Sequence, residues 1–304
     1  MMTNSDVIYK YMGKDGAHKT ISNCSLRFAR PSEMNDPFDV YIDDLFNIEV
    51  KGLLARSLIQ WHDLLCSDPA TFAKKTETDV EAAYSLSSRI NKLPESERVL
   101  KRDILDSIDI EQLYPDMKIM RENLEVERLV VVERLKSTSI FCATKNNSNL
   151  LMWAHYAEKH EGVVLGFRPD LERDSFLRLL KPVIYTDQRP QFYEFDSHWK
   201  SDVDQATRQR IGAKINTRMI YSKSKHWAYE EELRLDIPSE VKEGEPASFL
   251  KFYPTELVEI YFGCRMSESN KTEILILAKK LNPSISAFNS RLANQTYELE
   301  FDKI

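Results

Sequence analysis

Hydrophobic and polar positions along the chain change their period twice. Alternating segments typical of strands lie before residue 48 and after residue 136, whereas apolar residues within 48–136 recur every three to four positions. The strand-like segments are 7–11, 25–29, 137–143, 162–167, 182–186, 231–237, 248–252, 257–263, 285–288 and 296–301. Helical spacing separates some of them, at about 148–160, 170–180, 202–221 and 268–281.

This arrangement predicts an α+β fold with a mixed, mostly antiparallel sheet and a large all-helical insert. Strands and helices do not alternate in the regular rhythm of a doubly wound sheet. Turn formers follow the second strand, so 7–43 is expected to hold two short strands and an ordered loop. We therefore expect residues 1–47 and 137–304 to form the catalytic or binding core, with 48–136 as the insert.

Composition narrows the class of protein. The 304 residues contain 42 Lys and Arg against 48 Asp and Glu, and this balance argues against a basic nucleic-acid coat. No apolar run reaches the ~18 residues of a membrane span, so we expect a cytoplasmic protein without membrane contact. The four cysteines lie far apart without zinc-site spacing, which predicts reduced thiols. Neither a GxGxxG nor a P-loop motif occurs, so Rossmann and P-loop nucleotide sites are excluded.

The segment from Lys223 to Arg234 carries the densest candidate chemistry. Alternation in a strand places Glu230, Glu232 and Arg234 on one side. That side is either the solvent face of a half-buried strand or the wall of a cleft. In a cleft, crowded carboxylates orient a ribose or stabilise positive charge, and the nearby Trp227 suits a flat ring or a sugar.

Two further segments leave alternatives open. His155 and Tyr156 belong to an aromatic helix that either packs in the core or reaches a pocket. Asn35-Asp-Pro-Phe-Asp39 is either a structured turn or a source of ligands, with Asp36 and Asp39 for Mg²⁺ and Asn35 for a substrate amide or hydroxyl. Tyr9 lies on the first strand, with Lys10 on the opposite side.

Five segments together resemble a bacterial family of proteins of unknown function, domain of unknown function 2971 (DUF2971). The matching segments are Tyr9-Lys-Tyr11, Leu26-Arg-Phe28, Asn35-Asp-Pro-Phe-Asp39, Met152-Trp-Ala-His-Tyr156 with His160-Glu-Gly162, and Lys223-Ser-Lys-x-Trp227-x-Tyr-Glu230-x-Glu232-x-Arg234. Their order and character agree over most of the chain. The resemblance names no reaction.

A second resemblance suggests one. Arg27, Ser137-Thr-Ser139 and Glu230-x-Glu232 occur in the order of the ADP-ribosyltransferases of the Arg, Ser-Thr-Ser, Glu-x-Glu type, which carry these elements on a split, mixed sheet. The similarity implies NAD as co-substrate, and it implies no metal. It also implies a toxin or antiphage defence effector that modifies nucleic acid or protein.

The same similarity implies roles for individual residues. Glu232 would bond the nicotinamide ribose and support the oxocarbenium-like transition state, and Glu230 would position or deprotonate the acceptor. The residues expected to bind the cofactor are Tyr9, Arg27, Asn35, His155, Tyr156, Trp227 and Arg234. Among them, Arg27 would hold a phosphate, and Tyr156 or Trp227 would stack on nicotinamide.

Two other functions remain open from the residues themselves. A metal-dependent nuclease would use the carboxylates Asp36, Asp39, Glu230 and Glu232 for Mg²⁺. A non-catalytic module would recognise a nucleotide or single-stranded RNA by stacking on aromatic side chains such as Trp153 and Trp227. In each case, the helical insert 48–136 is a candidate surface for an antitoxin or for self-association.

Overall fold

A computed structural model describes residues 6–40, 50–98, 126, 129–189, 205–239 and 248–304. The chain divides into two compact units, one comprising 1–41, 131–190 and 213–304 and the other comprising 42–130 and 191–212. The predicted insert, 48–136, overlaps the second unit, and its residues 99–125 lie outside the described part of the chain.

The fold is α+β, with a mixed, mostly antiparallel sheet of eight strands in the first unit. The strands are β1 Ile8–Met12, β2 Ser25–Phe28, β3 Thr138–Thr144, β4 Val163–Phe167, β5 Lys181–Pro182, β6 Ile184–Thr186, β7 Ser222–Ser224, β8 Glu232–Pro238, β9 Ser248–Lys251, β10 Leu257–Phe262, β11 Ser286–Leu292 and β12 Leu299–Lys303. The large sheet has the order β12-β11-β10-β4-β1-β3-β8-β5, in which the β10–β11 pair is parallel. Two-stranded sheets pair β2 with β9 and β6 with β7.

The described α-helices are α1 Lys14–Asn23, α2 Val50–Ser67, α3 Pro69–Thr76, α4 Val80–Asn91, α5 Glu95–Arg98, α6 129–136, α7 Leu150–Tyr156, α8 Gln205–Ile220 and α9 Glu268–Leu281. Among the described residues, no helix is both long enough and apolar enough to cross a membrane. All four cysteines are free thiols.

Helices cover both faces of the large sheet. Ile21 of α1 and Ile274 of α9 pack with the apolar face of the central strands. On the opposite face, Trp153 of α7 packs with Tyr11 and Val164, and its indole N–H donates to the carbonyl of Asn147 at 2.9 Å. The long central strands are therefore buried on both sides, as a sheet between two helical layers requires.

One helix was not predicted and one predicted helix was wrong. Between the first two strands, α1 forms because Ala17, Thr20 and Ile21 have helical spacing and bury one face. In place of the helix predicted at about 170–180, the structure has a short 3₁₀ helix, Phe176–Leu179, begun by the side chain of Ser175. The predicted helix 148–160 also ends early, at Tyr156.

The second unit is helical in its described part. The carboxylates of Asp68 and Asp79 cap the starts of α3 and α4 by accepting backbone N–H groups. Leu65, Ala73 and Ala83 form its small buried core.

The large sheet opens between β1 and β3. β1 pairs with β4 over five residues and β3 pairs with β8 over seven, but β1 and β3 share the single registered pair Tyr9 and Thr144. Farther along β3, Ile140 pairs with Ala29, which follows β2. This opening positions the candidate site.

Candidate functional site

A cavity of about 590 Å³ occupies the opening between β1 and β3. Its volume falls within the range of small-molecule sites in proteins. Both strands contribute residues to its wall, and so do α1, β2, α7, the loop before Asp39 and the segment before β8. The lining residues used below are Tyr9, Lys10, Lys19, Arg27, Asn35, Asp39, Cys142, Tyr156, Lys223, Glu230 and Glu232.

A buried lysine joins two carboxylates in the cavity wall. Lys223 Nζ donates to Glu230 Oε2 at 2.5 Å and to Glu232 Oε2 at 3.1 Å. The same nitrogen lies 3.7 Å from Asp39 Oδ2. Lys223 and Glu232 are each 6% exposed, so water screens these contacts weakly.

An arginine behind the cavity holds the remaining carboxylate oxygens. Arg234 Nε donates to Glu232 Oε1 at 2.9 Å, and Arg234 Nη2 donates to Glu232 Oε2, also at 2.9 Å. Its Nη1 donates to Asp39 Oδ1 at 2.8 Å and to the carbonyl of Ile220 at 2.7 Å. Arg234 is 0% exposed, and this fixed fork of donors orients both carboxylates.

The contacts in the cluster favour the charged forms of Glu232 and Lys223. Burial raises the pKa of Glu232, but Arg234 and Lys223 outweigh burial and lower that pKa to about 2. Burial lowers the pKa of Lys223, whereas the carboxylates of Glu232, Glu230 and Asp39 together raise it above its ordinary value. An ionised carboxylate therefore faces the cavity at neutral pH.

Local backbone geometry turns Glu230 and Glu232 toward the same lysine. Ser224 caps the 3₁₀ helix Lys225–Glu230 by accepting the N–H of His226, and Glu231 ends that helix in the left-handed conformation at φ 46°. Glu232 then begins β8. Left-handed backbone is unfavourable for a residue with a side chain, so surrounding contacts hold this turn in place.

A second chain of hydrogen bonds reaches Glu230 from the loop after β2. Asn35 Nδ2 donates to Tyr156 Oη at 2.7 Å, and that hydroxyl donates to Glu230 Oε1 at 2.5 Å. Burial raises the pKa of Tyr156, and the hydrogen bond to Glu230 raises it further. Tyr156 therefore stays protonated and supplies a donor beside the cavity.

Six of the nine residues predicted to act in catalysis or cofactor binding line the cavity. They are Tyr9, Arg27, Asn35, Tyr156, Glu230 and Glu232.

The other three of these nine residues lie outside the cavity lining. Arg234 is buried behind Glu232. Trp227 is partly buried, and its ring centroid lies 5.1 Å from Lys223 Nζ. His155 is exposed on α7 and is outside the set of lining residues.

The structure decides between the alternatives left open for β8. The solvent-face interpretation is wrong, because Glu232 and Arg234 are buried together with the apolar residues of the opposite side. Asp236 of the same side accepts a hydrogen bond from Tyr221 Oη at 2.7 Å.

The turn motif contributes through two of its members. Asn35 and Asp39 line the cavity, whereas the Asp36 carboxylate accepts the backbone N–H of Phe38 at 2.9 Å and shapes the turn itself. In the described ranges, no three His, Cys, Asp or Glu side chains have the arrangement of a metal site.

The Ser-Thr-Ser element lies away from the carboxylates. Ser139 is opposite Ile237, whereas Glu232 is opposite Thr144. Five residues of strand separate the two positions, which corresponds to about 17 Å. The Ser139 hydroxyl instead contacts the Ser248 hydroxyl at 3.2 Å.

Neither Lys223 nor Lys10 had a predicted role in the site. Both belong to segments that carry the family resemblance, but a lysine in a strand gives no local sign of what it contacts. Each has a partner that is remote in sequence: Lys223 approaches Asp39, and Lys10 contacts the carbonyl of Cys142.

The family model described as "Protein of unknown function (DUF2971)" matches residues 152–235. The chain resembles DUF2971. The matched DUF2971 segment contains Tyr156, Lys223, Glu230, Glu232 and Arg234, so it supplies most of the ion cluster. No curated protein and no solved structure matches the chain.

Proposed function

We propose that the cavity binds NAD and that the protein is an ADP-ribosyltransferase-like enzyme acting in the cytoplasm on nucleic acid or protein. The observation that carries the proposal is the pair of buried carboxylates, Glu230 and Glu232, in the wall of one cavity. Positive charge develops at an anomeric carbon when its bond to a leaving group breaks, and an ionised carboxylate stabilises that charge.

The two carboxylates have different surroundings and therefore suit different tasks. Glu232, which Arg234 and Lys223 keep ionised, would face the ribose carbon whose bond to nicotinamide breaks. Glu230, which contacts Lys223 and the Tyr156 hydroxyl, would accept the proton that the acceptor loses as it bonds to that carbon. Nicotinamide leaves with the electron pair of the broken bond.

One observation favours a second candidate, a non-catalytic nucleotide-binding module. Both oxygens of Glu232 already accept hydrogen bonds, from Arg234 on one side and from Arg234 and Lys223 on the other. A carboxylate engaged in this way has little capacity left for a ribose hydroxyl. In that case, the cluster would shape the cavity without taking part in a reaction.

Nicotinamide release distinguishes the transferase from the non-catalytic binding module. Purified protein is incubated with NAD⁺, with and without cell lysate, and free nicotinamide is measured by mass spectrometry. Glu232→Gln keeps the shape of the side chain but removes the charge. Glu231→Gln is the matched control, because Glu231 is the exposed neighbour outside the cavity lining.

If the protein is a transferase, the wild type and Glu231→Gln release nicotinamide. In Glu232→Gln, the rate of release falls at least about 100-fold, because one charge-stabilising group has been removed. Equal release by all three proteins would refute the role of Glu232. NAD⁺ binding without release would favour the non-catalytic module. An arm with RNA and single-stranded DNA, with and without EDTA, tests the metal-dependent nuclease.

The proposal extends to a toxin or antiphage defence effector. Expression of the wild type in bacterial cells is then expected to arrest growth, and expression of Glu232→Gln is not. Equal growth of both strains at equal protein levels would contradict this extension.

A further inference from the structure

We propose that Lys10, in the opening between β1 and β3, is the anion-binding residue of the cavity and receives a phosphate group of the ligand. The inference rests on the proposed function in one respect, that the ligand is a nucleotide. It replaces Arg27, which the ADP-ribosyltransferase resemblance suggested for phosphate.

Lys10 reaches across the opening in the sheet. Its Nζ donates to the carbonyl of Cys142 on β3 at 2.6 Å and lies 5.3 Å from the centroid of the Phe141 ring. Both partners are neutral. A lysine ammonium has three donors, and this contact uses one of them.

Among the described residues, no carboxylate pairs with Lys10 within 4.0 Å. The side chain is nevertheless partly buried, in contrast to an ordinary surface lysine. Removing a cation from water without a counter-charge is costly, and the Phe141 ring offsets only part of that cost. An anionic ligand group would supply the missing charge and accept the remaining N–H donors.

The other cations of the cavity are differently placed. Lys223 contacts three carboxylates, and Arg27 Nη2 pairs with Glu33 Oε1 at 2.6 Å. Lys19 is exposed on α1, where water solvates its ammonium. Lys10 is therefore the cavity cation with the most to gain from a bound anion.

The two charged side chains reach the cavity from different strands. β3 lies between β1, which carries Lys10, and β8, which carries Glu232, so the backbones of these residues are about 10 Å apart. A ligand that contacts both side chains extends past β3, and a nucleoside diphosphate or a dinucleotide carries an anionic group that can reach Lys10.

Calorimetric titration with ADP, adenosine and inorganic pyrophosphate tests this assignment without any reaction. Lys10→Met is compared with the wild type, with Lys10→Arg and with Lys225→Met, which removes an exposed charge outside the cavity lining. We expect Lys10→Met to weaken the binding of ADP and pyrophosphate at least tenfold and the binding of adenosine less than threefold. Lys10→Arg should retain most of the affinity because it retains the cation, and Lys225→Met should change the affinity less than threefold.

Equal ADP affinity of Lys10→Met and the wild type would overturn the assignment, and so would a loss that Lys10→Arg fails to rescue. No binding of ADP or pyrophosphate by the wild type would also overturn it. Pyrophosphate binding that depends on Lys10, together with no nicotinamide release, would uphold the anion site and refute the transferase. Nicotinamide release that is insensitive to Lys10→Met would uphold the transferase and refute the anion site.

Discussion

Replacing Lys223 by Met removes the ammonium that three buried carboxylates share. Asp39, Glu230, Glu232, Lys223 and Arg234 together carry three negative and two positive charges, a formal charge of −1. The variant leaves three carboxylates with one cation, a formal charge of −2 in a buried space. Met keeps the length and apolar character of the stem, so the loss reports mainly on charge.

The distances set the size of the effect. At the 3.1 Å between Lys223 Nζ and Glu232 Oε2, Coulomb attraction amounts to about 5 kcal/mol for an effective dielectric constant of about 20. The desolvation of the buried ammonium offsets several kcal/mol of the summed attractions. We therefore expect Lys223→Met to lower the free energy of unfolding by about 3–5 kcal/mol at pH 7, as for other buried ion pairs that lose one partner.

Urea unfolding at pH 7 and pH 5 measures this. In the variant, a carboxylate without its cation binds a proton more readily in the folded state than in the unfolded state. Such a group stabilises the fold as pH falls, so the deficit should be smaller at pH 5. Glu230→Gln in the same chain restores the formal charge of −1, and the double variant should recover about 1–3 kcal/mol.

Lys225→Met is the matched control. Lys225 lies two residues away and pairs with Asp187 at the surface, where its side chain is 57% exposed. Its replacement should change the free energy of unfolding by less than about 0.5 kcal/mol. A loss below about 1 kcal/mol for Lys223→Met, or a loss that is the same at both pH values and in the double variant, would refute the reasoning.

Three further predictions concern one residue of this cluster and two residues beside it. The pKa of Glu232 is about 2 in the folded state against an ordinary 4.5. Its ionisation therefore contributes about 3 kcal/mol to the free energy of unfolding above pH 4.5, and this contribution is lost as pH falls toward 2. Glu232→Gln should flatten this part of a plot of unfolding free energy against pH, and an unchanged slope would contradict the prediction. Glu231→Gly should raise the free energy of unfolding by about 0.5–1 kcal/mol, because glycine adopts φ 46° without strain. A clear loss of stability in thermal unfolding would argue against strain at this turn. Tyr156→Phe removes the hydroxyl between Asn35 and Glu230. It should lower the free energy of unfolding in urea by about 1–3 kcal/mol and slow nicotinamide release. Full stability and full release together would show that the hydroxyl is dispensable.

Local sequence determines much of the strand content of this fold. The alternation over 231–237 is enough to predict β8 and to place Glu232 and Arg234 on the same side, because side chains alternate along any strand. α1 cannot be predicted from local pattern in this way, because Gly16 and several polar residues weaken the pattern of a short amphipathic helix. Its helical face becomes evident only when it packs with the sheet.

Tertiary structure decides which groups meet. Asp39 and Arg234 are 195 residues apart, and they meet because the chain after β2 pairs through Ala29 with Ile140 of β3, the strand beside β8. The opening between β1 and β3 likewise has no local sign, because it depends on long-range strand pairing. The sequence by itself thus determined the strands and the carboxylates they carry, whereas strand order, which follows from burial across the whole sheet, decided that Lys10, Lys223 and Glu232 line one cavity.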